Sequence, residues 1–537
     1  FGRGWQALAI TRSLGRQGIE VFCGEEAAFA PCSFSKYCTG SFRYPSVSEN
    51  PEGFLDFMEE KIKELKPADS NEPYVLIPVH KETWLFAKHR QRFEPHIKMA
   101  LTSYENMALT HNKGRLPGLA RELGVRIPET FQYQSLEEMD EASGKLDYPV
   151  FLKMREGASG VGLEKVGSTA QLQASFREFV KGYELEPVDY PLVQQFVEGD
   201  DYCVTVLFQE GRCVGKMTYR NIRAFPRVTG AGSLRETVKL EEAEAEAVRL
   251  LEHLNWHGIA ELDFRKTETG PSYLIEINPR FFGGLPQALA ANVDYPFLYF
   301  QVAAGQTINA TPEVDYDKRT ETPITGLLAT LEEIARDDVL LDRFRTVRKE
   351  LGQTVHSDVR TAKIRPLLKT LKEAANPKDL KGYLAKQFEN HQGTINDVLT
   401  RDDPLPALGA LYPVVMMLKH GKLSMGVLTS EAEVSEQKPR RRLRDLIRRP
   451  TWRVIWVCAL LYTLSIFLQN WAPTRDNLGW VLALPTKLGE TLFGDVINPS
   501  TLFGAVKQTA YNILDLIFLF IAATLLVRQS RTKHGGD

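Results

Sequence analysis

Apolar and polar positions alternate along this chain in three different ways, and each predicts a different kind of element. The opening "FGRGWQALAITRSLGRQGIEVFCGEE" places Ala7, Leu8, Ile10 and Leu14 on one helical face after a glycine turn, followed by a strand from Ile19 to Cys23. "YVLIPVH" (74–80) is a continuous apolar run, the pattern of a parallel strand buried on both faces. From Asn112 to about Ala304 shorter, alternating runs take over, among them "YPVFLKM", "PLVQQFV", "YCVTVLF", "IAELDFRK" and "SYLIEIN". Residues 1–110 therefore read as an α/β domain and 111–310 as an α+β domain. Residues 311–437 are mostly of helical period, as in "TGLLATLEEIARDDVLLDRF". The apolar run at 405–418 is too short to span a bilayer.

The C-terminal pattern differs again. "WRVIWVCALLYTLSIFLQNW" (452–471) carries nine Val, Ile, Leu and Phe residues from 454 to 468, about −3 to −5 kcal/mol on an insertion scale. "ILDLIFLFIAATLLV" (513–527) carries eleven, about −3 to −6 kcal/mol, which outweighs Asp515 near one end. The expectation is a hairpin of two transmembrane helices, 452–471 and 510–527, on a basic linker that begins at 438. Arg440, Arg441, Arg442, Arg444, Arg448, Arg449 and Arg453 precede the first span, and Arg528, Arg531 and Lys533 follow the second. Both ends, and the catalytic domains with them, are expected in the cytoplasm, with the arginine run against anionic lipid.

Composition narrows the rest. A chain of 537 residues with 43% hydrophobic and 25% charged residues is ordinary for folded protein. A net charge of −2 argues against nucleic acid as a partner. The six cysteines lack C-x-x-C spacing, so they suggest neither a zinc site nor a disulfide framework. Gly2, Gly4 and Ala7 match G-x-G-x-x-A, with Glu25 about where a ribose-binding acid stands, but a tight strand-to-helix turn is the plainer reading. The chain opens at Phe1 without methionine, so a first strand is expected upstream.

The chemistry gathers in "LIEINPRFFGG" (274–284). On a regular strand Glu276, Asn278 and Arg280 share one face, while Ile275 and Ile277 point into a core. Asp263, in "AELDFRK", lies thirteen residues before Glu276 across a Gly270-Pro271 turn, so antiparallel pairing brings both carboxylates and Asn278 together. Hard oxygen donors without histidine or cysteine suit magnesium, or manganese, together with phosphate oxygens. A salt-bridged strand surface is the plainer alternative. Upstream, Lys153 ends an apolar strand and precedes the glycine-rich loop 157–162, whose N–H groups suit a polyphosphate. It lacks the G-x-x-x-x-G-K-[ST] pattern of a P-loop.

This assembly, over residues 1 to about 304, resembles the ATP-grasp superfamily in the branch similar to carbamoyl-phosphate synthetase and D-alanine ligase. The resemblance implies a Rossmann-like pre-ATP-grasp domain followed by an ATP-grasp domain. It implies ATP and two magnesium ions, with Lys113 and Lys153 as nucleotide lysines and Gly157, Ser159, Gly160 and Gly162 in the loop over the phosphates. By it Gln194, Gln195, Phe196 and Val197 form the adenine hinge and Asp201 meets ribose. Asp263, Glu276 and Asn278 correspond to the metal ligands, Glu276 bridging two ions, and Arg280 to the residue that steadies the transferred phosphoryl group. Gln194 stands where an acid is frequent, and Asp201 where glutamate is usual. Arg223, in "YRNIRAFPRVTGAGS", reads either as a contact to an anionic substrate or as a surface-loop charge. Glu261 is a candidate amine-side contact if its strand is regular.

The activity implied is ligation of a small carboxylate to an amine through an acyl phosphate, in a chain that admits a homodimer. The same superfamily includes kinases, and a membrane-anchored nucleotide-binding module without catalysis is a further alternative. Two lysines and three metal ligands weigh against the latter.

Overall fold

The computed structural model describes residues 4–26, 30–155, 162–225, 230–322, 326, 329, 393–398 and 400–406. The two expected membrane spans, the basic linker, most of the expected helical stretch 311–437 and the loop residues Gly157, Ser159 and Gly160 lie outside them. Among the described residues no helix is long and apolar enough to cross a membrane. The chain divides into two units, of which the first holds residues 1–329 and 391–398. In the second, Thr400 and Asp403 form an isolated bridge.

The first unit opens with α1 (Gly4–Arg16), then β1 (Phe22–Glu25) and β2 (Gly40–Arg43), which pair in parallel. Helices α2 (Pro51–Glu64), α3 (Glu82–Lys88), α4 (Arg90–Phe93) and α5 (Tyr104–His111) follow. α2 forms because the Asn50 side chain accepts from the Gly53 N–H at 3.0 Å, and Pro51 costs no helical bond in the first turn. Its Phe54, Leu55, Met58 and Ile62 make one stripe against Phe86 and Phe93.

Two expectations for this region are corrected. The strand drawn at 19–23 begins at Phe22, because Gly18 (φ +78°) and an Ile19 N–H bond to the Leu14 carbonyl spend residues 17–21 on leaving α1. The run 74–80 forms no regular strand, only one parallel bridge from Val75 to Lys98. Pro73 precedes it and Pro78 interrupts it, and neither has the N–H that a longer ladder needs.

Helix α6 (Leu116–Glu122) leads to a four-stranded antiparallel sheet of order β3-β6-β4-β5, made of β3 (Thr130–Phe131), β4 (Val150–Lys153), β5 (Leu163–Val166) and β6 (Leu192–Gln195). Helices α7 (Leu136–Ser143) and α8 (Thr169–Gly182) back it, with Met139, Leu172 and Phe176 buried on Val150, Leu152 and Val193.

The central sheet has seven strands in the order β11-β10-β7-β8-β9-β12-β13. They are β7 (Asp200–Gln209), β8 (Arg212–Phe225), β9 (Ala231–Val238), β10 (Gly258–Lys266), β11 (Ser272–Asn278), β12 (Arg319–Glu321) and β13 (Ile395–Asn396), all antiparallel except the β12–β13 pair. On one face, α9 (Glu241–His253) buries Ala247, Leu250 and Leu251 against Val204, Val206, Leu262 and Phe264. On the other, α10 (Leu285–Ala290) and α11 (Tyr295–Ala303) pack with α1 around Phe281, Phe282, Tyr295 and Tyr299.

The boundary drawn at residue 310 does not coincide with the end of this sheet. β12 and β13 lie beyond it, because the chain returns after a long excursion to pair Thr320 with Ile395 and Glu321 with Asn396. A buried ion pair fastens that return. Arg235 donates to Asp397 at 2.9 Å with their side chains 5% and 0% exposed, and Arg12 donates to the Val398 carbonyl at 2.8 Å. Asp397→Ala is expected to cost about 3–5 kcal/mol, since it leaves the Arg235 charge buried without its carboxylate. Calorimetry of the unfolding transition checks this, and a midpoint unchanged from wild type would contradict it.

Candidate active site

The pleat and register of the central sheet collect the polar residues. β10 pairs with β11 so that Glu261 lies opposite Asn278 and Asp263 opposite Glu276. β7 sets Cys203 opposite Asp263, and β8 sets Tyr219 opposite Cys203. Cross-strand partners share a face, so Glu276, Asp263, Cys203 and Tyr219 form one row and Asn278 and Glu261 begin the next. The expected meeting of Asp263, Glu276 and Asn278 is present: the Asn278 Nδ2 lies 3.2 Å from Asp263 Oδ2 and 3.5 Å from Glu276 Oε1.

Two details differ from the regular strand the sequence suggested. A bulge between the Asp263–Glu276 and Phe264–Leu274 pairs hands the core position to Leu274 and leaves Ile275 half-buried. Arg280 is also not a strand residue. β11 ends at Asn278, and the Arg280 N–H closes a tight turn onto the Asn278 carbonyl at 2.9 Å.

Cations face this acidic row. The Lys113 Nζ lies 3.2 Å from Glu276 Oε2. Burial would raise the Glu276 carboxyl, but Lys113 and Lys153 outweigh it and hold it at about 2. At Glu261 burial prevails and pushes it to about 7, against the Tyr219 hydroxyl that donates to it and the charges of Arg280 and Arg235. Burial, with Glu261 and Glu276 alongside, pushes Asp263 well above the usual carboxylate range. Three carboxyl groups this close ionise together only if positive charge joins them. The Asp263 Oδ1 is buried without a hydrogen-bond partner among the described residues. That oxygen, the Glu276 carboxylate and the Asn278 amide, whose Oδ1 a half-turn presents, suit a hard divalent cation.

The residues expected at a nucleotide lie on the four-stranded sheet and the segment that follows β6. Lys153, at the end of β4, donates to Gln194 Oε1 at 2.5 Å, while Gln194 Nε2 donates to Thr130. Burial lowers Lys153 to about 8, with Glu276 opposing and Lys113 adding to the shift. Gln195 is exposed, while Phe196 and Val197 are half-buried where the chain crosses to β7. The Phe196 ring carries Lys165 3.6 Å from its centroid. Gly199 (φ +132°) makes that crossing possible, since a Cβ there would sit 2.2 Å from the Lys266 carbonyl oxygen. Asp201 is held by Arg265 through bonds of 2.8 and 3.0 Å. Gly162 (φ +68°) closes the glycine-rich loop, its carbonyl accepting from the Met154 N–H at 2.8 Å. Arg223 is buried on β8, so it is not a surface-loop charge.

Sequence reasoning missed Cys203, Tyr219, Arg265 and His111. Arg265 was within reach, being two residues beyond Asp263 on the same strand. Cys203 and Tyr219 required the β7–β10 and β7–β8 registers. His111 packs against Trp84 with ring centroids 4.9 Å apart and the planes tilted by 55°, and burial beside Lys113 lowers it to about 4, so it is neutral.

The profile of the family described as "ATP-grasp in the biosynthetic pathway with Ter operon" matches residues 188–323, which hold β6 to β12. A carbamoyl-phosphate synthase of Methanobrevibacter smithii is 27% identical over 202 residues, 36% of this chain and 52% of that protein. A D-alanine–D-alanine ligase B of Pseudomonas putida is 24% identical over 181 residues, 32% of this chain and 55% of that protein. The chain thus spans about half the length of these two relatives. Among solved structures, the biotin carboxylase domain of the Hydrogenobacter thermophilus 2-oxoglutarate carboxylase, in complex with MgADP and bicarbonate, aligns with a TM-score of 0.48. The identity is 17%, over 59% of this chain and 71% of that one.

The neutral hinge residue has a consequence for pH. Below about pH 8 Lys153 is an ammonium in the free protein; above it the amine is neutral, and binding a polyphosphate has to recruit a proton. Nucleotide affinity is therefore expected to fall above pH 8, by up to about tenfold per pH unit. Gln194→Glu supplies a carboxylate beside the amine and moves the fall to higher pH. Calorimetric titration with ADP from pH 7 to 9.5 tests both, and superimposable profiles for the two proteins would refute the assignment. In its alignments the chain is similar to ATP-grasp enzymes, and the matched family segment contains the strands that carry its acidic row.

Proposed function

We propose that this protein is an ATP- and magnesium-dependent ligase that joins a carboxylate to an amine through an acyl phosphate, and that two C-terminal spans anchor it to a membrane with this unit on the cytoplasmic side. The observation that carries the catalytic reading is the convergence of Asp263, Glu276 and Asn278 on one sheet face, with Lys113 beside them and Lys153 close enough to depress the Glu276 carboxyl. The similarity to a D-alanine–D-alanine ligase and to carbamoyl-phosphate synthases supports the same reaction class.

Asp263, Glu276 and Asn278 would hold the divalent ions, magnesium or manganese, which when bound neutralise phosphate charge and polarise the phosphoryl group. Lys113 and Lys153 offer ammonium groups to the phosphates, and the segment from Gln194 to Val197 would meet the base. Asp201 would turn from Arg265 to the ribose. Arg280, on the tight turn after β11, stands where charge gathers as the substrate carboxylate attacks the γ-phosphorus and ADP leaves. The amine nitrogen then attacks the acyl carbon, phosphate departs, and the nitrogen loses its proton. Arg223, buried on β8, is the proposed contact to the anionic substrate. Catalysis is by positioning and charge, with no acid–base pair required in the first step.

The membrane part rests on the composition of 452–471 and 513–527 and on the flanking arginines. It implies a lipid-linked product, or an acceptor met at the inner leaflet.

The full chain with magnesium and ATP is expected to release ADP and phosphate only when a carboxylate and an amine are both supplied from pools of amino acids and small acids. Glu276→Gln should reduce that release by about 10²–10³-fold or more. ADP with a phosphorylated acceptor and no free phosphate would instead indicate a kinase. For the anchor, the full chain should remain in the membrane pellet after alkaline carbonate washing, and its quantitative release would remove the two spans from the proposal.

A further inference from the structure

Cys23, Cys32 and Cys38 fit no local cysteine motif, yet the fold of the first unit gathers them into one cluster. Cys23 stands on β1 and Cys32 in the short helix Pro31–Phe34, 4% and 0% exposed, while Cys38 is half-buried in the turn that leads into β2. The parallel pairing of Phe22 with Gly40 and of Cys23 with Ser41 sets the last of these thiols beside the first. Cys23 is the centre of the cluster. The Cys32 and Cys38 thiols are both within hydrogen-bond reach of its sulfur, and the Thr11 hydroxyl of α1 lies 3.3 Å from it. All three cysteines are free.

A thiol buried among apolar groups stays protonated and inert, whereas the thiolate, the form that reacts, needs donors around it. Hydrogen bonds from the Cys32 and Cys38 thiols hold Cys23 well below the usual thiol range in spite of its burial. The same bonds, with burial added, push Cys32 and Cys38 up and keep them protonated. The cluster therefore holds one nucleophile and two candidate partners. Cys32 is fully enclosed in a helix that Pro31 opens, while Cys38 sits in a turn partly open to solvent, its sulfur 3.1 Å from the Gly40 carbonyl. Cys23 also lines a cavity between α1, β1, α2 and residues 73–79, which gives a small molecule a route to its sulfur.

We propose that Cys23 and Cys38 form a peroxide-reactive dithiol, which closes a reversible disulfide between β1 and the turn before β2. The Cys23 thiolate attacks one oxygen of the peroxide: an S–O bond forms, the O–O bond breaks, and the departing oxygen takes a proton. The Cys38 sulfur then attacks the Cys23 sulfenic acid. The S–S bond forms, the S–O bond breaks, and the Cys38 proton leaves with the hydroxide as water. Two thiols thus lose two electrons and two protons while the peroxide is reduced to water and an alcohol, or to a second water. In a reducing compartment the bond is transient, because thiol exchange reopens it. The site is independent of the ligase reading.

The test treats the full chain with hydrogen peroxide, quenches it, alkylates it with iodoacetamide and digests it with trypsin in the absence of reductant. Cleavage after Arg16, Lys36 and Arg43 puts Cys23 and Cys32 in one peptide (17–36) and Cys38 in another (37–43), so the disulfide appears by mass spectrometry as a linked pair. The pair is expected to form at least about tenfold faster in the folded chain than in concentrated urea. Dithiothreitol should return both thiols. Cys32→Ser should keep the pair, and Cys23→Ser should lose it and leave Cys38 alkylated. Fragment ions that place the wild-type bond at Cys23 and not at Cys32 decide alone if Cys23→Ser does not fold. Equal rates in the folded and unfolded chain, a bond at Cys32, or an irreversible oxyacid or unreacted thiol at Cys23 in place of the pair would each overturn the proposal.

Discussion

The pairing of β10 with β11 is the constraint on which the rest of the site depends. Asp263 and Glu276 face each other, and so do Glu261 and Asn278, only because the antiparallel register places them there. A shift of one residue would send every one of these side chains into the apolar layer over α9. The same pairing fixes the charge balance. Burial raises Asp263 and Glu261, and Lys113 and Lys153 counter it at Glu276 alone. The strand pair therefore holds acidic groups that are unequal in charge before any ligand arrives, which suits a place where cations and phosphates meet.

The central sheet also has to keep two unlike faces. One is apolar and carries Val204, Val206, Leu262 and Phe264 against α9. The other is apolar at the α1, α10 and α11 end, with Leu207, Met217 and Ile259, and polar where Asp201, Cys203, Tyr219 and Asp263 stand. The bulge beside Asp263 reconciles the two, because it lets Leu274 stay in the core while Glu276 turns to the polar face. Far along the same sheet, Asp397 returns from a distant part of the chain to neutralise Arg235, so the edge that continues past β9 is secured by a charge pair and not by apolar packing alone.

Much of this was legible from the chain. Asp263, Glu276 and Asn278 stood out because alternating polar residues on two apolar runs joined by a Gly-Pro turn admit few arrangements. Lys153 was legible as a lysine ending a buried strand. The limits were those of local reading. The run 74–80 looked like a full strand until Pro78 within it and Pro73 before it were set against its partner, and Ile275 looked like core until the bulge displaced it. Arg223 could not be placed in a strand or a loop by pattern alone, because its segment is as polar as a turn yet pairs with β9.

By itself the sequence determined the order of helical and strand patterns, the hard oxygen donors on two neighbouring strands, and the two apolar stretches near the C-terminus, since each follows from periodicity or composition within a short window. Only the tertiary structure decided that Cys203 and Tyr219 stand in the acidic row, that Glu82 lies buried against the Tyr44 hydroxyl, and that Asp397 pairs with Arg235. Those are contacts between residues far apart in the chain, set by sheet register and packing, and no local period encodes them.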